Sequence, residues 1–427
     1  MAVARPAGVT AGTDNVIVTV NLTSDEGDAN TGDSVCDADL GTGGEQCTLR
    51  AAIEQANAYA GTDADVIRFG IPGNGPHTIA PVNDLPVITG ETQIDGYSQS
   101  GASVNTRKLG HGDNAKLGVV LSGKNLDPIL STALTFDAGS EAGVVRGLCI
   151  NRFATGLVLK SQATVRGNFI GTDATGTHDR GNTFGAIFAT QDLGTRVIGG
   201  PTPDARNVIA GNGAPAIIST IAASVQGNYI GVGADGSPMG NGAGQSADAQ
   251  VILESDGMGN VVGGEGGAAN IIAFNKGKGV AVINQNTVAT IRRNRIFANG
   301  GIPIDLDDDG RTPNDAGDAD PGPNRLLNFP VLEDAVNRNG HTRIHGVYKG
   351  FPDVEPYGIE FFANPPHTRQ AMKYIGSLPI ETGNGGKAKF KFVANKDLAA
   401  GKTITATAMD DGGATSEVSP PVRVSRP

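Results

Sequence analysis

Val165-Arg-Gly-Asn-Phe-Ile-Gly-Thr-Asp-Ala-Thr-Gly176 recurs sixty residues later as Val225-Gln-Gly-Asn-Tyr-Ile-Gly-Val-Gly-Ala-Asp-Gly236. A shorter copy, Val145-Arg-Gly-Leu-Cys-Ile150, stands twenty residues before the first. Arg206-Asn-Val-Ile-Ala-Gly-Asn212 returns as Ala269-Asn-Ile-Ile-Ala-Phe-Asn275, and Val197-Ile-Gly-Gly200 as Val261-Val-Gly-Gly264, at offsets of 63 and 64. The common unit is therefore about 20 to 22 residues, the length of one coil of a solenoid. A leucine-rich repeat shares that length but needs leucine at its consensus positions, where this chain has Ile, Val and Asn. The repeat predicts a parallel β-helix, in which each coil stacks its apolar residues on those of the next.

Asn168, Asn207, Asn228, Asn270 and Asn294 each stand two residues before an Ile. Stacked, they predict a ladder of side-chain amides along the axis. The β-helix is expected over residues 65–306. About eleven coils at roughly 4.8 Å each give a rod on the order of 50 Å long. Composition agrees with a turn-rich β protein: 63 of 427 residues are glycine and tryptophan is absent.

Ahead of the repeats, Thr48-Leu-Arg-Ala-Ala-Ile-Glu-Gln-Ala-Asn-Ala-Tyr-Ala-Gly61 has helical spacing at Leu49, Ile53, Ala56 and Tyr59. Thr48 suits the N-cap and Gly61 the end. Cys36 and Cys47 bracket a loop rich in Gly, Asp and Thr and read as a disulfide, with two free thiols as the competing reading. Zinc fits less well, because no histidine lies near. Cys149, in an apolar run, reads as a buried small residue. Residues 1–64 form an N-terminal strand, Cys loop and capping helix in this reading. The first residues lack the apolar core of a secretory signal.

After the repeats the pattern changes twice. Residues 307–328 are an expected acidic linker. Seven aspartates fall within residues 305–320, and Asp305, Asp307, Asp309, Asp315, Asp318 and Asp320 are candidate ligands, since calcium prefers hard oxygen donors. The run does not fit an EF-hand, and a solvated acidic linker is the competing reading. Over residues 329–427, Thr342-Arg-Ile-His-Gly-Val-Tyr348, Tyr357-Gly-Ile-Glu-Phe-Phe-Ala363, Lys387-Ala-Lys-Phe-Lys-Phe-Val393 and Lys402-Thr-Ile-Thr-Ala-Thr-Ala408 alternate apolar and polar residues. They predict an antiparallel β-sandwich, which would cover the open end of the helix.

Cys47-Thr-Leu-Arg-Ala-Ala-Ile-Glu-Gln-Ala-Asn57, the repeat ending at Gly176, and Gly317-Asp-Ala-Asp-Pro-Gly-Pro-Asn324 with Asn328-Phe-Pro-Val331 together resemble a known family. It is that of secreted bacterial right-handed parallel β-helix repeat proteins with an N-terminal Cys, Ser/Thr, Leu, Arg cap. The resemblance spans most of the chain. It implies the pectate-lyase-like superfold and a location outside the cell or on its surface, and it assigns no catalytic residues. The fold class expected is thus all-β: a right-handed parallel β-helix with a short N-terminal capping helix and a C-terminal antiparallel β-sandwich.

Net charge of −11 argues against nucleic-acid partners, and no apolar run is long enough to span a membrane. By analogy with active β-helices, the expected partner is a polysaccharide, anionic or neutral, bound and processed by a lyase, hydrolase or transferase along one face. Arg146, Arg166 and Arg292 share a repeat position with Gln226 and would form an outward guanidinium column suited to sugar carboxylates. A solvated charged stripe is the plainer reading. Lys160 and Glu254 break the pattern of their repeats and are the candidate acid and base. A non-catalytic surface or adhesive module is the alternative function, and association of chains is open. Gly401-Lys-Thr403 lacks the rest of a phosphate loop, and His341 and His345, four apart on a strand, are too distant to share a metal.

Overall fold

A computed structural model of the chain describes residues 15–59, 63–191, 194–242, 249–338, 340–352, 355–395 and 397–426. Gly61, the expected end of the helix, and residues 1–14 lie outside these. Three parallel sheets dominate, of nine, eight and seven strands. The chain visits them in rotation: Val144–Arg146 lies in the first, Leu148–Asn151 in the second and Thr155–Leu159 in the third, before Thr164–Arg166 returns to the first.

Each sheet contributes one apolar column to a shared interior. In the first, Ile67, Ile94, Val145, Val165, Ile198, Val225, Val262 and Ile291 pair in register, none more than 3% exposed. Leu121, Ile150, Ile170, Ile209, Ile230, Ile272 and Ile296 do the same in the second. Burial of such columns is the main stabilising term, at about 25 cal/mol per Å2 of apolar surface removed from water.

The Val-x-Gly-Asn-x-Ile motif now has a physical account. Val faces inward on the first sheet, and Ile does so on the second. The Gly between them makes the corner: Gly227 has φ 71°, and a Cβ there would lie 2.0 Å from the Gly200 carbonyl oxygen. The Asn fills the inside of that corner. Asn168 Nδ2 donates to Asn207 Oδ1 (3.3 Å), Asn207 to Asn228 (2.9 Å), Asn228 to Asn270 (3.2 Å) and Asn270 to Asn294 (3.0 Å), so the expected ladder is present. A second ladder, Asn182, Asn212, Asn241, Asn275 and Asn299, runs along the corner between second and third sheets with every link at 2.9 Å.

Leu49–Ala58 is the α-helix, with Thr48 as N-cap accepting from the Ala51 N–H. Its buried face, Leu49, Ala52, Ile53 and Ala56, joins the apolar cluster that includes Val18, Val20 and Ile67. Cys36 and Cys47 form a disulfide. Cys149 is free and fully buried, but on the outward side of the second sheet, beneath covering loops with Phe169, Val208 and Tyr229. Burial pushes its thiol up to about 12.

The C-terminal strands depart from an all-antiparallel sandwich. They form a seven-stranded mixed sheet in the order Lys373–Glu381, Pro356–Asn364, Thr403–Asp410, Val422–Ser425, Val331–Arg338, His341–Lys349, Lys387–Ala394. Val422–Ser425 pairs parallel with Val331–Arg338, which makes the sheet mixed. The four strands read from alternation are present; of three more, Lys373–Glu381 forms one edge, and Val422–Ser425 and Val331–Arg338 lie between them. The sheet curls until the Phe392 ring lies over Gly376 of the opposite edge. Phe362, Ala371 and Val418 of this region join the apolar cluster of the parallel stack. Asn324 ties the two together, accepting from the Ala289 N–H and donating to the Thr415 carbonyl.

Candidate functional site

The acidic segment divides. Asp315, Asp318 and Asp320 bring carboxylate oxygens within 4.8 Å of one another, a group that could hold a metal ion. Asn328 organises it: its N–H donates to Asp318 Oδ1 (2.8 Å), its side-chain oxygen accepts from the Asp315 N–H, and its amide reaches the Lys349 carbonyl. Asp318 is fully buried, and its Oδ2, like Asp320 Oδ1, has no hydrogen-bond partner. Burial, then the charges of Asp315, Asp320 and Asp410, pushes the Asp318 carboxyl up to about 7, against the Asn328 N–H. A cation would reverse that penalty, since carboxylate oxygens are hard donors.

Asp305, Asp307 and Asp309 are not part of this group. Asp305 is fully buried at the end of the stack and paired with Lys278 at 2.6 Å, while Lys278 also reaches Asp308 at 2.8 Å. A buried carboxylate with an ammonium partner is already neutralised. Asp307 and Asp308 take left-handed conformations in the turn that follows. The acidic linker expected over residues 307–328 thus buries Asp318, and Asp305, just before it, is buried as well.

Arg146 and Arg166 are register partners on adjacent strands, as expected. Arg146, however, is held in a two-pronged pair with Asp95 on the preceding strand, at 3.0 and 2.7 Å. Arg292 is separated from Arg166 by the rungs carrying Gly199, Gln226 and Gly263. It pairs with Glu360 of the mixed sheet at 3.4 Å, so the guanidinium column is interrupted. Of these three arginines, Arg166 alone has no ion pair among the described residues.

Lys160 and Glu254 follow corresponding strands of the third sheet, with Thr190 and Thr220 on the rungs between them. Three rungs put their backbones roughly 14 Å apart. Lys160 is paired with Asp137 at 3.0 Å, and the Ala138 N–H followed by this lysine holds Asp137 below the usual carboxylate range.

A more open site crosses the first strands of the second sheet. Two adjoining hollows of about 340 and 460 Å3 share Pro76, Ala174 and Thr175. Their floor includes Thr78, Val120, Ser122 and Asn151, on successive paired strands. Lys116, Lys124, Arg152 and Arg180 stand around them, all exposed and without ion pairs among the described residues. Asp173 is the one lining carboxylate, held in its turn by Thr175 Oγ1 and the Thr177 N–H. These cations come from four separate segments with no common spacing, so no repeat marks them. Pattern-breaking positions just after strands, such as Arg152 at φ 61°, were the available signal.

No helix among the described residues is long and apolar enough to cross a membrane. No protein-family model matches the chain, and no curated protein matches it either.

Proposed function

We propose that this protein is an extracellular right-handed parallel β-helix that binds an acidic polysaccharide in the groove across the second sheet, as a recognition module rather than a cleaving enzyme. The observation that carries the reading is the ring of Lys116, Lys124, Arg152 and Arg180 around a hydroxyl- and amide-lined groove, in a chain of net charge −11. Cations gathered against the overall charge attract a polyanion, while the exposed hydroxyls of Thr78 and Thr175 offer partners for sugar hydroxyls. One lining carboxylate argues against hydrolysis, which ordinarily uses two.

The rotation of the chain through three parallel sheets supports the β-helix, and the helix Leu49–Ala58 with its buried face is read as the cap of the first coil. The disulfide supports an oxidising location. Calcium at Asp315, Asp318 and Asp320 is part of the same reading, with the unpartnered buried oxygens as its support and a structural role at the junction with the mixed sheet. Calorimetric titration with polygalacturonate, alginate and a neutral glucan at two salt concentrations tests the function. The two polyuronates should bind, more weakly at high salt, and the glucan should not. Equal or absent binding to all three would leave a purely structural module.

A further inference from the structure

A second cleft, of about 510 Å3, opens where the parallel stack meets the mixed sheet. It differs in kind from the groove. Arg293, Arg295, Lys373 and Lys402 line it with no carboxylate among its walls, and Met372, Tyr374 and Leu398 supply an apolar side. Arg293 is already committed, to Glu265 at 2.9 Å, to Glu360 at 3.6 Å and over the Tyr374 ring. Arg295, Lys373 and Lys402 have no ion pair among the described residues, and Arg295 only lies over Phe297. Three free cations in a partly enclosed, largely apolar hollow are excess charge that one carboxylate would not balance. A phosphate monoester carries close to two negative charges at neutral pH and three acceptor oxygens. A partly enclosed hollow of this size takes a small molecule.

We propose that this cleft binds the phosphate monoester of an amphipathic ligand. Arg295, Lys373 and Lys402 hold the phosphate, and Met372, Tyr374 and Leu398 pack against the apolar body. The ligand bridges the two parts of the chain, because Arg295 belongs to the stack, Lys373 to the mixed sheet, and Lys402 stands directly before that sheet's strand Thr403–Asp410.

The test is calorimetric titration of the full chain with 4-methylumbelliferyl phosphate and with uncharged 4-methylumbelliferone. The phosphate should bind about tenfold or more tightly than the neutral compound, and Lys373→Ala with Lys402→Ala should remove about that much affinity. Both lysines are exposed, so the double variant is expected to fold, with circular dichroism as the check. Lys124→Ala with Arg152→Ala, in the groove, should leave this affinity unchanged. Cosedimentation with phosphatidic acid vesicles, lost in the lysine variant, would identify a lipid headgroup as the source. Soluble binding without cosedimentation would identify a free phosphorylated compound. Equal affinity for the two coumarins, equal affinity of wild type and lysine variant, or no binding of the phosphate would overturn the proposal.

Discussion

The two asparagine-bearing corners of the parallel stack and its junction with the mixed sheet bury polar groups in opposite ways. Inside the stack the buried polar groups at two corners are neutral amides, each supplied with donors and acceptors by the next copy of itself. Asn228, for example, accepts at Oδ1 from the Asn207 N–H and side chain, and donates to the Ile198 carbonyl and to Asn270. At the junction the buried groups are charged and irregular: Glu360 with Arg292 and Arg293, Asp410 with Arg325, Glu417 accepting from the Leu306 and Thr312 N–H groups, and Asp318 with an oxygen unsatisfied. A repeated neutral network satisfies itself at every rung without a desolvated charge. A junction of two unlike surfaces has no such symmetry, and it retains carboxylates that depend on pH and ions.

The largest expected effect breaks the first half of this comparison. Asn228→Ala should cost about 3–4 kcal/mol, because it leaves donors of Asn207 and an oxygen of Ile198 buried and unpaired. Asn299→Ala, at the partly exposed end of the second ladder, should cost less than half as much. Chemical denaturation of both variants checks this, and similar losses would mean that the ladders are not cooperative supports. Next comes the disulfide. Cys36→Ala with Cys47→Ala should cost roughly 2–3 kcal/mol through the freed loop, read in the same experiment.

Smaller effects belong to the junction. Calcium should raise the melting temperature by a few degrees, about 1–2 kcal/mol at saturating concentration, and Asp318→Asn should abolish that rise. An identical response in the variant would place any bound ion elsewhere. With a chelator present, pH should act through Glu417, which burial and then the charge of Asp305 raise to about 7 against the Leu306 and Thr312 N–H groups and Arg369. A folded pKa above the unfolded value means that the protonated form is favoured on folding. Its stabilising contribution is complete below about pH 4.5 and is lost as pH rises through about 7. The Asp318 carboxyl, also raised to about 7, titrates in the same window. The melting temperature should therefore fall between pH 5.5 and 8, and Glu417→Gln should lessen that fall.

What the sequence discloses follows the same division. The Val-x-Gly-Asn-x-Ile unit exposes its inward, corner and ladder positions because each has the same role wherever the unit recurs. The second ladder was within reach by the same logic, since Asn212 and Asn275 occupy equivalent places three residues after Ile209 and Ile272. The Arg146–Arg166 adjacency followed from the period, whereas Asp95, which claims Arg146, precedes the recognisable repeats. Of six candidate aspartate ligands, three converge, because Lys278, far back in the chain, takes Asp305. The groove is assembled from Lys116, Lys124, Arg152 and Arg180 on loops of unequal length, and only folding brings them together.

That groove carries the functional account, and one titration tests it most directly. Polygalacturonate affinity should be measured at low salt for the wild type, for Lys124→Ala with Arg152→Ala, and for Lys373→Ala with Lys402→Ala. The account predicts a loss of about tenfold or more in the groove variant, with near wild-type affinity in the cleft variant. Equal affinity of the groove variant and the wild type would contradict it.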